Sequence, residues 1–591
     1  MMPQLKVDKP LYTYARWFQL VLSSLGICLW VSIWGFESTR SQWPESQQFT
    51  TFSAVLTMHF FPGVILLYRL WGQGFSWKRW LGESIWKITV LWIAVTPTLN
   101  QDMTMFGGQT VHLILLKIIM VVVFLIDLSR IRLNYRSRKV HPALVFVLSF
   151  GIIITLGALA LMLPRATHSG IHFMDALFTS VSAVCVTGLA VVDTGTYFTQ
   201  LGQSIVLVLI QLGGLGILTF ASYFSYLFKG GASYENQLAL SDINSSNRLS
   251  DVFQTLKYIF GITVFVEAFS AASIYFSLDA SLFETWTDQV FFSVFHAVSA
   301  FCNAGFSTLS SSFYREGFAF SYGLQVIVIL TFVFGGLGFP IVANTVTYFR
   351  YRMRRWLFNK SKRVTRPWVL NLNSRINLWT TLIVFFLSTL LMFAFEYNHT
   401  LQGHSFIGKW ITALFEATTP RTAGFNNVDL MSMTTPAILL TLFLMWVGAS
   451  PAGTGGGIKT STLALMVMNL ISLAKGKDRI EVYRREISIN SLRRAFAVVF
   501  LSIAVISTAI VLMSIFEPTL SKKSLIFEVV SAFGTVGLSL GITASLGTSA
   551  KITIMALMFI GRVGALTLII AFFKKTREKN YRYPSEEITI N

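Results

Sequence analysis

The chain has 591 residues, 53% of them hydrophobic and only 13% charged, against about 25% charged in an ordinary soluble domain. Apolar stretches of membrane-spanning length recur from end to end, which predicts an all-α integral membrane protein and excludes a soluble enzyme, a DNA-binding protein or a secreted disulfide scaffold. The net charge of +20 sits between those stretches, so it reads as cytoplasmic-side loops facing anionic lipid and not as a nucleic-acid surface.

In chain order, a polar N-terminus leads into four predicted spans, 16–36, 52–71, 84–100 and 111–129, within a first region 1–140. The third is the weakest, with Lys87 inside it and Pro97 near its end. The run from Trp17 is long enough to span, so it reads as a retained helix and not as a cleaved signal peptide. Arg130, Arg132, Arg136, Arg138 and Lys139 follow the fourth span. Together with Lys6, Lys9, Arg16, Arg69, Lys78 and Arg79 they mark the cytoplasmic side and put the N-terminus there. Cys28, Cys185 and Cys302 lie in apolar or glycine-containing segments without metal-ligand spacing and read as free thiols.

The body is an internal repeat. Residues 178–189 read FTSVSAVCVTGL, 295–306 FHAVSAFCNAGF, 414–425 LFEATTPRTAGF and 527–538 FEVVSAFGTVGL. Without gaps, Gly188, Gly305, Gly424 and Gly537 align, separated by 117, 119 and 113 residues. A span precedes each segment, at 143–163, 257–278, 376–395 and 494–515, and another follows, at 203–228, 321–347, 436–469 and 549–573. The short apolar run before each glycine is too short to cross, so it predicts a re-entrant helix and loop. The repeats take in 141–252, 253–370, 371–490 and 491–575, with a tail at 576–591. Basic clusters follow the second repeat (Arg350 to Arg366), the third (Lys475 to Arg494) and the fourth (Lys574 to Arg582), whereas the connection 229–252 is nearly charge-balanced. The glycine segments therefore face outward, and the C-terminus lies inside with the N-terminus.

Four glycine loops at the mouth of a membrane path suit a dehydrated cation. Its lost water is replaced by backbone carbonyl oxygens, which need an extended backbone and close approach. The third repeat carries a further signal. Gly448, Pro451, Gly453, Gly455, Gly456 and Gly457 must break its second span into two helical pieces joined by an intramembrane loop. Arg562, flanked by Gly561 and Gly564 inside the last span, is an ionised group at membrane depth and a functional candidate by that fact alone.

VCVTGL, CNAGF, RTAGF and GTVGL, each behind a pore-helix run, resemble the filter loops of the Trk/Ktr/HKT superfamily of potassium transporters, and the TrkH/KtrB-type membrane subunits in particular. QLGGLGI at 211–217, FGGLGFP at 334–340, GASPAGTGGGIKTST at 448–462 and IGRVG at 560–564 reinforce the likeness. It covers roughly 141–575, while the extra N-terminal helices exceed the usual member's extension. The resemblance implies four pseudo-repeats of helix, re-entrant pore loop and helix around one pore. It implies a potassium-binding filter of Val186, Thr187 and Gly188, of Asn303, Ala304 and Gly305, of Thr422, Ala423 and Gly424, and of Thr535, Val536 and Gly537. Ser at the first glycine accompanies sodium permeation in the plant branch, so Gly188 follows the potassium-selective pattern. The resemblance also makes Gly453, Thr454, Gly455, Gly456, Gly457 and Lys459 a gating loop beneath the filter, with Arg562 as the charge against it. Potassium would be the transported ion, with no covalently bound cofactor. The partners implied are a second copy of the chain and a cytosolic TrkA/KtrA-type nucleotide-binding regulatory subunit.

Other polar residues read more plainly. Lys459 divides between a contact to loop carbonyls and snorkelling to the cytoplasmic edge. Glu267 reads as a packing or dimer-contact residue, Glu416 and Glu528 as braces of their pore helices, and Arg421 as a brace of the third loop. No clustered acid, base or metal ligands suggest a membrane enzyme, and GTGGGIKTST lies within a membrane span, so it is no phosphate loop. A midplane secondary transporter would show inverted or twofold repeats instead of four direct ones. A sodium-passing member of the same superfamily stays open as an alternative.

Overall fold

The computed structural model describes residues 9–36, 142–215, 251–315, 317–358, 370–451 and 453–572, with scattered positions between 47 and 120. Most of the predicted spans 52–71, 84–100 and 111–129 lie outside the described residues. So do the basic run 130–139, the connection 229–250, the residues from Lys360 to Arg366 and the tail.

Among the described residues, α1 (Lys9–Gly35) precedes the body. The first repeat holds α2 (Pro142–Leu161), α3 (Phe173–Val184) and α4 (Gln200–Gly214). The second holds α5 (Asp251–Ser277), α6 (Trp286–Cys302), α7 (Tyr322–Gly336) and α8 (Phe339–Phe358). The third holds α9 (Leu372–Glu396), α10 (Phe406–Thr418), α11 (Thr435–Trp446) and α12 (Thr460–Ala474). The fourth holds α13 (Ile489–Phe516), α14 (Lys522–Gly534), α15 (Thr548–Val563) and α16 (Ala565–Phe572). A two-stranded hairpin, β1 (Glu481–Val482) and β2 (Arg485–Glu486), joins the last two repeats.

The helix starts are written locally. Thr199, Thr285, Asn371, Ser405, Thr434 and Ser488 cap α4, α6, α9, α10, α11 and α13, each side chain accepting from the backbone N–H three residues on. The breaks are written in glycine. The third repeat's second span breaks between Trp446 and Thr460, as its glycines and proline require. Two further spans, read from the sequence as single helices, are also broken. α7 and α8 meet at 105°, at Gly338 with φ +84° just before Pro340, and α15 gives way to α16 at Gly564 with φ +88°. The apolar runs ignore these breaks because hydropathy is blind to backbone sign.

The short helices α3, α6, α10 and α14 are the inner layer. Phe178, Phe295, Phe415 and Phe527, one on each at the equivalent place, are all buried. The long helices α5, α9 and α13 form the outer layer and are apolar enough to cross a membrane. Phe265, Phe386 and Phe500 on them are 71%, 75% and 73% exposed, which is the face lipid covers. Apolar inside and apolar outside, with short helices between long ones, is the helix–re-entrant segment–helix arrangement that the sequence predicts.

Candidate functional site

Each glycine loop begins as a helix cap. At the end of α3, Val186 N–H donates to Ala183 O (3.1 Å) and Thr187 N–H to Ser182 O (2.8 Å). The same pair recurs after α6, Asn303 to Ala300 (3.0 Å) and Ala304 to Ser299 (2.8 Å), and after α14, Thr535 to Ala532 (3.1 Å) and Val536 to Ser531 (2.9 Å). This is a Schellman cap, which needs a left-handed residue at its first position. Val186, Asn303 and Thr535 occupy it at φ +57°, +59° and +51°. For β-branched Val and Thr that conformation is strained, and such strain collects at functional sites.

The third loop differs. Ala423 N–H donates to Thr419 O (2.9 Å), so this loop is one residue shorter between helix and glycine. Pro420, which has no N–H, sits inside it, and Thr422 takes φ +78°. The ungapped alignment is therefore right at the glycines and one residue off along α10. In structural register the caps are Ser182, Ser299, Thr419 and Ser531. Their hydroxyls tie the loops further: Gly188 N–H donates to Ser182 (3.1 Å), Gly537 N–H to Ser531 (3.2 Å), and Ser299 and Thr419 donate to the carbonyls of Phe306 and Phe425. These four residues were not singled out in the sequence, although they stand in plain sight in each motif.

The four loops meet in a closed ring. Gly188, Gly305, Gly424 and Gly537 all have positive φ, +91°, +71°, +78° and +93°. A Cβ on Gly188 would run into Ala304 O, on Gly305 into Gly424 and Ala423 O, on Gly424 into Val536 O, and on Gly537 into Thr187 O. Each glycine faces the middle carbonyl of the next loop, and the fourth returns to the first. Backbone packs on backbone at every seam, and that is the physical reason for glycine here. All twelve residues named from the sequence are thus brought together.

Behind the ring, three residues before each cap, stand Thr179, His296, Glu416 and Glu528, all buried. His296 Nε2 pairs with Ser307 Oγ (2.9 Å), Glu416 accepts from Asn427 N–H (3.4 Å), and Glu528 accepts from Ser539 Oγ (2.7 Å) and from Thr543. Three of the four tie the pore helix to the limb that leaves the glycine. His296 had no signal in the sequence beyond its place in the motif.

The stretch between α11 and α12 lies against the ring from one side. Gly456 N–H donates to Thr535 Oγ1 (3.0 Å), Thr454 Oγ1 to Phe301 O (3.3 Å), and Ser450 N–H to Gly336 O (3.0 Å). A Cβ on Gly455 would overlap Thr422 Oγ1, and one on Gly456 would overlap Thr535 Oγ1. Lys459 Nζ donates to Gly455 O (2.6 Å) and Gly456 O (3.4 Å). Arg562 donates to Thr454 O and, from its other terminal nitrogen, to Gly213 O. It therefore bridges α15, the loop and the end of α4, and is buried. Of the two readings of Lys459, the carbonyl contact is the one observed.

Residues 113–583 match the family described as TrkH, cation transport protein. Ktr system potassium uptake protein B of Bacillus subtilis is 34% identical over 453 residues, covering 76% of this chain and 96% of that protein. Potassium/sodium uptake protein NtpJ of Enterococcus hirae is 33% identical, covering 77% and 98%. The chain belongs to the TrkH family of cation transport proteins. The crystal structure of the potassium transporter TrkH from Vibrio parahaemolyticus shares the fold, with a TM-score of 0.59 at 17% identity over 82% of this chain and 95% of that one.

Two polar residues of this TrkH-family chain lie beside the ring and do not enter it. Arg421 donates to Gly448 O (3.3 Å) and lies over the Phe385 ring, its guanidinium carbon 4.5 Å from the centroid. It joins the third glycine loop to the start of the intramembrane stretch. Glu267 on α5 accepts from Gln211 of α4 (3.2 Å), with the Cys302 thiol 4.0 Å away. The Cys185 and Cys302 thiols are free and buried.

Proposed function

We propose that this chain is the ion-translocating membrane subunit of a Ktr/Trk-type potassium uptake system. Potassium enters from outside and sheds water among the carbonyls of 186–188, 303–305, 422–424 and 535–537. It then passes the intramembrane loop 453–459 and reaches the cytoplasm, down its electrochemical gradient. The single observation that carries this is the closed ring in which each of four glycines abuts the middle carbonyl of its neighbour. Arg562 and Lys459 hold the loop's carbonyls and set cationic charge on the path, which supports reading this arrangement as the shut one. Both termini lie in the cytoplasm of the cell membrane by the distribution of Lys and Arg. A cytosolic TrkA/KtrA-type nucleotide-binding subunit and a second copy of the chain complete the system, a reading supported by the Ktr-type relatives.

The test is reconstitution in liposomes with potassium and sodium flux measured separately. Potassium flux exceeding sodium flux is expected, with Gly188→Ser narrowing the difference. Equal flux of both ions in the unaltered protein would favour the sodium-passing alternative, a live one because NtpJ is named for both ions. No flux of either ion, with the regulatory subunit present as well as absent, overturns the proposal.

A further inference from the structure

The peptide unit joining Gly455 to Gly456 is held at both ends. Its carbonyl accepts from Lys459 Nζ at 2.6 Å, and its N–H donates to Thr535 Oγ1 at 3.0 Å. The preceding carbonyl, Thr454 O, accepts from Arg562. Two cationic side chains therefore take the negative ends of this backbone, and its positive end is turned to the ring. The oxygen it meets belongs to the left-handed residue that opens the fourth glycine loop. A threonine hydroxyl oxygen accepts an N–H or faces a cation with the same lone pairs.

We propose that this peptide unit stands in for a cation at the inner end of the ring. In the shut state the Gly456 N–H occupies Thr535 Oγ1, and in the open state the permeating cation uses that oxygen. Cargo at that position and closure of the loop then exclude one another, so loading the ring with potassium opens the gate. The fit is close on both sides: Gly455 leaves no room for a Cβ against Thr422, nor Gly456 against Thr535. Thr422 Oγ1 is already engaged with the Asn303 side chain at 3.1 Å, and Val186 offers no side-chain oxygen. Thr535 is therefore the position where loop and cargo compete. A ligand that binds only the open form raises the open-to-shut ratio by a factor of 1 + [L]/Kd, where Kd is that of the open form. The inference rests on the transport reading above and adds a control that the reading does not require.

The experiment uses the full chain in liposomes with equal ion concentrations on both sides, potassium being exchanged for choline at constant ionic strength. A Thr454→Cys reporter in a Cys28→Ala background reacts with a membrane-impermeant thiol reagent when the loop leaves the ring, and the Cys28→Ala protein without the reporter gives the background rate of the buried Cys185 and Cys302 thiols, which is subtracted. At a potassium concentration ten times the open form's own Kd, with the shut form still predominant, the reaction is expected to run about tenfold faster than in choline. Thr535→Val, which removes the oxygen and keeps the shape, should react fast in choline and ignore potassium, while Thr535→Ser should keep the dependence. Gly456→Ala, which drives a methyl into Thr535 without removing its oxygen, should be fast in choline too, and serves if the valine variant does not fold. A reporter indifferent to potassium, or a valine variant that still responds, overturns the inference. A protein that carries potassium in the flux assay but fails here overturns this inference alone, and loss of flux overturns the reading beneath it.

Discussion

Asp175 Oδ1 and Lys551 Nζ stand 2.7 Å apart, joining the first turn of α3 to the first turn of α15 across 376 positions of sequence. Their side chains are 20% and 14% exposed, so the pair is largely withdrawn from water. It lies between the fourth repeat and the first, the same two repeats that meet where Gly537 abuts Thr187 O. Successive repeats are tethered by the chain itself. This seam has no covalent link, and an ion pair is where charge contributes most to closing it.

Asp175→Asn should therefore destabilise the fold by about 1.5–3 kcal/mol, the range for hydrogen bonds to charged groups. Lys551→Gln should cost a similar amount, and the double variant little more than either alone. Thermal unfolding of the four proteins in detergent checks this. Strictly additive losses would show that the two side chains do not act as a pair.

Arg562→Ala removes the bridge from α15 to Thr454 O and Gly213 O. The loop loses a charge-assisted anchor, and basal potassium flux without a regulator should rise. Arg562→Lys keeps the charge but cannot span two carbonyls, and should fall between the two. Isotope uptake into liposomes reads the order. Flux unchanged in both variants would remove Arg562 from the gate.

Much of this arrangement is legible in the sequence because glycine and apolar length are local signals. The four motifs mark their own glycines, and the cluster from Gly448 to Gly457 announces a broken helix. The kinks at Gly338 and Gly564 lie beside breakers too, Gly335, Gly336 and Pro340 at the first and Gly561 at the second, but the apolar run continues through both, and hydropathy alone draws each as one straight span. The one-residue shift along α10 is hidden because Pro420 shortens the loop without disturbing the glycine spacing that anchors the alignment. The partners of Asp175, Glu528 and Arg562 lie on other elements, and no pattern along one strand of sequence can reveal them.

Glu528 accepts from Ser539 and Thr543, both on the limb leaving the fourth glycine. Glu528→Ala would take that acceptor from both hydroxyls, leaving buried Thr543 only Ser539 Oγ at 3.0 Å, at about 1–3 kcal/mol. Glu528→Gln keeps an acceptor oxygen and should cost less. Melting temperatures of the two variants should differ in that order, and the alanine variant should also lose discrimination between potassium and sodium. An alanine variant as stable as the glutamine one would refute the bracing role.

His404, in the segment before α10, lies beside Tyr322, whose hydroxyl is 3.1 Å from its Nδ1. Burial, and then the nearby Lys409 ammonium, hold its pKa below the ordinary histidine value. Below that ordinary value an unfolded chain takes up a proton that the folded segment refuses. The stability tied to His404 is therefore present above the ordinary histidine range and declines as pH falls toward the lower folded value. His404→Gln should flatten that part of the pH dependence of thermal stability between neutral and acid pH. An identical pH profile in the two proteins would show that His404 does not contribute.

Gly424 combines both demands made on the ring glycines. Its φ of +78° costs a residue with a Cβ about 1–2 kcal/mol, and a methyl there would strike Val536 O of the neighbouring loop. Forcing a methyl into packed backbone adds about 1–3 kcal/mol. Gly424→Ala must either spread the third and fourth loops or turn the third out of its left-handed path, and both displace the backbone of the ring. Gly403→Ala is the control, since a methyl there meets nothing within 4 Å. Flux measured in liposomes should collapse for Gly424→Ala while Gly403→Ala behaves like the unaltered protein. If Gly424→Ala kept full flux and full preference for potassium, the ring of backbone contacts would not be the ion's path.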